Sequence, residues 1–313
     1  MDLSVIVPYH NEGINVSLLY LKIIDTFERI QKEIGFRNFE ILFIDDGSTD
    51  SGTKSLIQTI ENTNVNSINV NIEVYRFNEN QGQSAALSLG FSKFSGKYVS
   101  TIDADLQNDP EDLIPMLKLM LEKNPEVVSG YRNNRSEGLR VGISNIGNLL
   151  IRIVSGYSVR DVGCSLKLYK NYVIKDIKLP NGYHRFLPII SRSGKDLILN
   201  YPVKHFKRIY GKSHYNYSRI WWLLKNIFVL PFLKKFNPDR VKKSLKILNI
   251  INVLSFLPLL FAVFEPKLLT FLFFNLFLNF IYINLNNFWI FQKSFEYIKY
   301  ERIYQKKINL IYV

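Results

Sequence analysis

Asp103-Ala104-Asp105-Leu106-Gln107 follows a short apolar run at residues 98–102. In an extended segment, residues two apart point the same way, so Asp103, Asp105 and Gln107 share one face. Three oxygen-bearing side chains at that spacing suit Mg²⁺ or Mn²⁺, and an ion there would neutralise a diphosphate leaving group. The same residues also read as a capping turn, with Asn108 or Asp109 leading into a helix that begins at Pro110. A second acidic cluster is Asp45-Asp46-Gly47-Ser48 with Asp50. Gly47 permits a turn, and Ser48 or Asp50 can cap the helix that follows. A carboxylate there either bonds a base or ribose or belongs to an ordinary acidic turn. Arg132, Arg135 and Arg140 follow one further apolar run, and Lys204, Lys207, Arg208 and Lys212 follow another. Guanidinium groups suit phosphate oxygens through paired N–H bonds. Arg135 and Lys204 read as solvated surface, and Cys164, alternating with apolar residues, reads as packing.

The elements that must position these residues are legible as alternating runs. Residues 3–7, 39–44, 72–76, 98–102 and a segment opening at 127–128 have strand character. Residues 16–34, 50–60, 83–94 and 110–121 have helical spacing, the last entered through Pro110, Glu111 and Asp112. Alternating strands and helices predict an α/β domain with a mostly parallel sheet. Such sheets bind ligands at the C-terminal ends of their strands. Tyr9, Asn11 and Glu12, then Asp45 and Asp46, then Asp103, Asp105 and Gln107, then Arg132 fall at those ends.

Of the 313 residues, 47% are hydrophobic and 21% charged, which excludes a disordered chain. One Cys and four His exclude a disulfide framework and a Cys/His zinc cluster. The net charge of +13 is local: residues 204–246 hold 12 Lys/Arg and one acid, whereas residues 1–203 sum to −1. Two stretches without charge follow, residues 247–264 and 268–292, of 18 and 25 residues. At ~1.5 Å per residue each can cross a hydrocarbon core of roughly 30 Å. Glu265, Pro266 and Lys267 alone separate them, so they predict a hairpin. Its basic outer flanks place both ends in the cytoplasm. The competing reading is a pair of buried core helices, because Asn249, Asn252, Asn275, Asn279, Asn284, Asn286 and Asn287 are costly in lipid. Residues 214–236 mix Trp221, Trp222, Leu223, Leu224 and Phe228 with Arg219 and Lys225, as an interfacial helix on anionic headgroups would. A membrane is thus the expected partner of the basic belt, and nucleic acid is not. Met1 and Asp2 lead directly into the first strand with no signal peptide, so the front part is expected to stay in the cytoplasm.

Val5-Ile6-Val7-Pro8-Tyr9-His10-Asn11-Glu12, Ile44-Asp45-Asp46-Gly47-Ser48-Thr49-Asp50, Asn80-Gln81-Gly82 and Asp103 through Glu111 occur in this order. Together they resemble the family 2 glycosyltransferases of GT-A fold, and more closely the polyprenyl-phosphate glycosyltransferases. The motif match covers residues 1–215, and the hydrophobic hairpin agrees with the bacterial subgroup in layout. The resemblance implies a cytoplasmic GT-A nucleotide-sugar-binding domain at 1–213. After it come a basic amphipathic juxtamembrane segment at 214–246, a two-helix transmembrane hairpin at 247–292 and a basic cytoplasmic tail at 293–313. Such a hairpin can pack between subunits, which leaves a homo-oligomer open.

Roles follow from the resemblance. Pro8, Tyr9 and Glu12 look like the nucleotide-contacting start, and Asp46 like the residue bonding the nucleoside. Asp103 is similar to the first acid of the metal motif, beside ribose and diphosphate. Asp105 and Gln107 resemble the ligands of Mg²⁺ or Mn²⁺. Arg132 and Arg140 look like the arginines facing donor and acceptor phosphates. Arg208 resembles the first basic residue of a basic-x-x-Gly-x-Ser-Lys loop. That loop here ends in His214 in place of Lys, so Lys212 or a protonated His214 takes the second phosphate contact. The segment Tyr183-His184-Arg185-Phe186-Leu187-Pro188 resembles an acceptor-side element. The implied reaction moves a sugar from a UDP- or GDP-linked donor to a polyprenyl phosphate such as undecaprenyl phosphate, with inversion. The alternative is a sugar hydroxyl as acceptor, in cell-surface polysaccharide synthesis. A processive synthase is disfavoured, because Ser218-Arg219-Ile220-Trp221-Trp222 lacks the Gln and the adjacent Arg-Trp of that group's motif.

Overall fold

Every residue of strand β1 (Leu3–Tyr9) is buried, as a central strand covered on both faces requires. It pairs in parallel with β2 (Asn38–Asp45) on one side and β4 (Tyr98–Thr101) on the other. β2 continues in parallel to β3 (Asn69–Phe77). Beyond β4, β6 (Lys167–Lys170) runs antiparallel to both β4 and β5 (Val127–Arg132), and β5 pairs in parallel with β7 (Ile198–Val203). With the edge strand β8 (Tyr300–Ile308), the eight-stranded order is β7-β5-β6-β4-β1-β2-β3-β8. The computed structural model describes residues 1–65, 67–132, 147–153, 155–207, 274–279, 282 and 300–308.

Helices α1 (Asn15–Ile34), α2 (Gly52–Asn62), α3 (Gln83–Lys93) and α4 (Leu113–Lys123) connect the strands. α1 buries Val16, Leu19, Tyr20, Ile23, Phe27 and Ile30, an i, i+3, i+4 stripe. These residues form one core with Leu3, Val5 and Val7 of β1 and Met116, Leu117 and Met120 of α4. Each large apolar side chain so buried contributes roughly 1.5–3 kcal/mol. α3 lies against the alternate β1 residues: a Cβ on Gly90 would stand 2.5 Å from Ile6 Cγ2. The predicted strands and helices are thus present, with small shifts. The helix expected from residue 50 begins at Gly52, and the one expected from Pro110 opens as a 3-10 turn, Pro110–Asp112, before α4.

Two strands escaped the sequence reading. β6 is four residues long. β8 lies in the part of the chain expected as a basic tail, and it pairs antiparallel with β3 from Val70↔Ile308 to Phe77↔Tyr300. Its Lys and Arg content suggested a solvated tail; Arg302 is exposed, as edge strands allow, but Lys306 Nζ donates to the Ile60 carbonyl of α2 at 2.8 Å. Glu73 of β3 accepts hydrogen bonds from Tyr75, Asn71, Arg302 and Gln305.

The chain divides into two compact units. Met1–Tyr215 with Ile298–Val313 is the α/β unit, and Asn216–Tyr297 is the second. The expected interfacial segment lies outside the described residues. So do the two hydrophobic stretches, apart from residues 274–279 and 282. Residues 274–279 are helical, and Asn279 Nδ2 donates to the Asn275 carbonyl at 3.1 Å and to its Oδ1 at 2.6 Å. Among the described residues, no helix is long and apolar enough to cross a membrane.

Candidate active site

β6 is antiparallel to both β4 and β5, so β1, β2, β4 and β5 all end at the same edge of the sheet. The loops leaving that edge are stitched to one another. Pairing of β1 with β4 stops at Ile6↔Thr101. Buried Pro8 therefore costs no ladder bond on that side, and the chain can turn out of the sheet after Tyr9. The Asn11 side-chain oxygen accepts the Thr49 N–H at 2.8 Å, and the Asn11 N–H donates to Ser48 Oγ at 3.0 Å. His10 Nδ1 donates to the Asp46 carbonyl at 2.7 Å. Asp50 accepts from Gly13 N–H at 2.8 Å and from Gly52 N–H, the first amide of α2, at 3.0 Å, so it joins the two loops and satisfies the helix start from the residue before Ser51.

The two acids of the Asp45-Asp46 pair have separate duties. Asp45 is fully buried and accepts from Ser48 N–H and Thr53 Oγ1, both at 2.7 Å. The Tyr9 hydroxyl meets Thr53 Oγ1 at 3.0 Å, so the Tyr9 side chain is turned into the core. Burial, then the nearby Asp45 charge, push its pKa well above the ordinary tyrosine value. Asp46 is also buried, and its carboxylate accepts Gln81 N–H at 2.6 Å and Gly82 N–H at 2.9 Å. Burial raises its pKa against the pull of those two amides. Gly47 adopts φ +67, and a Cβ there would stand 2.5 Å from the Glu79 carbonyl carbon. Only glycine allows the two loops to approach so closely.

Asp103 leaves β4 with its N–H donating to Ser165 Oγ at 3.2 Å and its Oδ1 accepting Gln83 Nε2 at 2.6 Å. Asp105 is 7% exposed, and its Oδ1 accepts the Gln107 N–H at 3.1 Å. Gln107 Nε2 donates to the Phe206 carbonyl at 3.4 Å, which leaves its amide oxygen as the donor for a cation. The capping role falls to Asp109, which accepts Glu111 N–H at 3.3 Å, so Asp103 and Asp105 are not needed for it. Burial, then the Asp105 charge, push Asp103 up to about 7, and Glu12 adds to the rise. Carboxylates crowded in this way suit a divalent cation. Among the described residues no three acids, His or Cys form a complete metal cage. Two carboxylates and an amide oxygen are hard donors, of the kind that leave further positions to water or phosphate oxygens.

Arg132, at the end of β5, is held by Asp161 through two parallel bonds, Nε–Oδ2 at 2.7 Å and Nη2–Oδ1 at 2.8 Å. The Arg132 and Asp103 charges act on each other. The segment around Tyr183 docks on the start of α3: His184 Nδ1 and Ser84 Oγ are 3.1 Å apart. Gln83, next to Ser84, is the residue that bonds Asp103.

Residues 4–178 match the family model described as glycosyl transferase family 2. The chain belongs to glycosyl transferase family 2. Undecaprenyl-phosphate 4-deoxy-4-formamido-L-arabinose transferases of Salmonella choleraesuis and Salmonella typhimurium are each 34% identical to it over 218 residues. Each match covers 69% of this chain and 63% of the relative, so the chain spans less than two thirds of the length of these relatives. The α/β unit has the GT-A fold of glucosyl-3-phosphoglycerate synthase from Mycobacterium tuberculosis. In its complex with Mn²⁺, UDP and glucosyl-3-phosphoglycerate, the TM-score is 0.51 at 18% identity, over 73% of this chain and 78% of that one. Its complex with Mg²⁺ and UDP also gives 0.51 at 18% identity, over 73% and 77%.

In this family 2 chain the structure brings Pro8, Tyr9, Glu12, Asp46, Asp103, Asp105, Gln107 and Arg132 to one edge of the sheet. Arg140, Arg208, Lys212 and His214 lie outside the described residues. Cys164 is 1% exposed, and burial pushes its thiol up, as packing implies. Sequence reasoning passed over Gln83, Asp161, Ser165 and Lys167. The available signal was Lys167, a cation flanked by Leu166 and Leu168 in a run otherwise fit for a buried strand.

Proposed function

We propose that this chain transfers a sugar from a UDP- or GDP-linked donor to a polyprenyl phosphate, undecaprenyl phosphate being the acceptor that the relatives' names point to. The observation that carries the reading is the convergence of Asp103, Asp105 and the Arg132–Asp161 pair beneath the loop held by Asp46. In this reading the Asp46 carboxylate shapes the nucleoside pocket through Gln81 and Gly82. Pro8, the Tyr9 backbone and Glu12 form its floor, and Asp103 faces ribose and diphosphate.

A phosphate monoester is ionised at neutral pH, so the acceptor needs no general base. Its oxygen forms the new bond to the anomeric carbon as the bond to the donor diphosphate breaks. The electron pair leaves with the nucleoside diphosphate, and the configuration inverts. Mg²⁺ or Mn²⁺ held by Asp105 and Gln107 would supply Lewis-acid stabilisation of the departing diphosphate. The protein's own part is electrostatic: Arg132, Arg140 and Arg208, with Lys212 or His214, hold two anions close and steady the developing charge. Attachment to the cytoplasmic membrane through residues 214–246 and the hairpin 247–292, with both termini cytoplasmic, belongs to the same proposal. The net charge of residues 204–246 and the hydropathy of 247–292 support it. The homo-oligomer stays part of it through the hairpin.

The test is a transfer assay on membranes carrying the full chain. Undecaprenyl phosphate, Mn²⁺ and a panel of labelled nucleotide sugars are supplied, with and without chelator. Label entering the organic phase from one donor, and abolished by chelator, is the expected result. Intact protein that labels no lipid but labels a free sugar acceptor would overturn the acceptor assignment in favour of a hydroxyl nucleophile.

A further inference from the structure

β6 lies inside the sheet, and Lys167 faces Thr101 of β4 on one side and Ser129 of β5 on the other. It is 3% exposed. An ammonium buried there is costly unless its protons are taken up. A side chain needed only for packing would be apolar. The protons of Lys167 go backward along its own chain: Nζ donates to the Cys164 carbonyl and, at 3.4 Å, to the Val162 carbonyl. The lysine thereby curls residues 161–165 over the start of β6.

That short loop is where both halves of the site are held. At one end, Asp161 grips Arg132. At the other, Ser165 Oγ accepts the Asp103 N–H at 3.2 Å and donates to Asn108 Oδ1 at 3.1 Å, while the Ser165 carbonyl accepts Thr101 Oγ1 at 2.8 Å. Ser165 therefore braces the 103–108 turn at both ends. Burial pulls the Lys167 pKa below the ordinary lysine value, and Arg132 adds to the fall; Cys164, Asp161 and Asp103 act in the opposite direction.

We propose that Lys167 is a positioning residue for sugar transfer, its buried ammonium setting the 161–165 loop so that Ser165 and Asp161 place the 103–107 carboxylate turn and Arg132 relative to each other. The proposal rests on the reading of this edge as the donor-binding site. It adds a buried cation that touches neither donor nor acceptor.

The test uses the full chain in detergent, with Mn²⁺ plus UDP and, separately, Mn²⁺ plus GDP, titrated calorimetrically. Wild-type protein binding neither nucleotide would overturn the donor-site reading itself, and with it this proposal. Given wild-type binding, Lys167→Met is expected to weaken it about tenfold to a hundredfold, the range for groups that orient ligating side chains. Hydrogen exchange in the peptide spanning 102–108 should quicken, and Lys167→Arg should keep most of the affinity. Ser165→Ala is the second variant and does not depend on the fate of the buried lysine. It should speed exchange in the same peptide and weaken Mn²⁺–nucleotide binding while the thermal midpoint stays near wild type. Wild-type affinity and exchange in either Lys167→Met or Ser165→Ala would overturn the proposal. So would a folded Lys167→Met that binds normally but melts early, since that is a packing role alone.

Discussion

Gln83 Nε2 donates to Asp103 Oδ1 at 2.6 Å, joining the first residue of α3 to the carboxylate that follows β4. One Asp103 oxygen is therefore already engaged from above, while its backbone N–H is fixed by Ser165 from the side. Gln83→Ala should lower kcat/KM about tenfold to a hundredfold, as loss of an orienting partner does, with little change in thermal midpoint. Gln83→Glu should cost more, since it sets a third acid against Asp103 and Asp105. Steady-state transfer kinetics beside a melting curve would check both.

In the proposed reading Asp105 supplies a carboxylate for the cation, and it lies in the turn after β4, outside the strands and helices. Asp105→Ala is expected to bring transfer to background while circular dichroism and membrane association stay as in wild type. Wild-type turnover in that variant would remove Asp105 from the metal site.

Asp103 gives the site a pH signature. Its folded pKa, pushed up to about 7 by burial and then by Asp105, lies above the ordinary 3.8. The folded state then holds the extra proton between those two values, so stability falls as pH rises through that window. The metal-free protein should melt earlier at neutral than at mildly acidic pH, and Asp103→Asn should flatten that slope. A bound cation favours the ionised carboxyl, so Mn²⁺ binding should release protons at about pH 6 and fewer above pH 8. Calorimetry in buffers of different ionisation enthalpy measures that release.

The Arg132–Asp161 pair is buried, with side chains 14% and 8% exposed. Removing one partner leaves the other charge stranded, so Asp161→Ala should destabilise the protein by about 3–5 kcal/mol. The double variant Arg132→Met, Asp161→Leu should regain much of that stability without regaining activity. Denaturant titration and the transfer assay, run together, separate the two effects.

Legibility in the sequence followed the strength of each local signal. The runs at 3–7 and 39–44 are continuous and apolar, so β1 and β2 were plain; the acids after β4 drew attention by their spacing, but residues 104–106 turn, with Leu106 at φ +59, where an extended segment was expected. β6 was hidden because Lys167-Leu168-Tyr169-Lys170 is short and begins and ends on a cation. β8 read as a tail because its charges are dense and Glu301, Arg302 and Gln305 are exposed. Asp46 was legible as important, but no spacing rule shows that its carboxylate is spent on the Gln81 and Gly82 amides. Gln83 and Ser165 carry no pattern at all, since their partners lie 20 and 62 residues away.

The pairing of β8 with β3 bears on parity. The chain leaves the sheet after β7 and rejoins it at Tyr300, so the residues between begin and end on the same compact unit. A loop tied at both ends to one side of a bilayer can pass through it only an even number of times. A single crossing, or three, would strand β8 on the far side from the edge it completes.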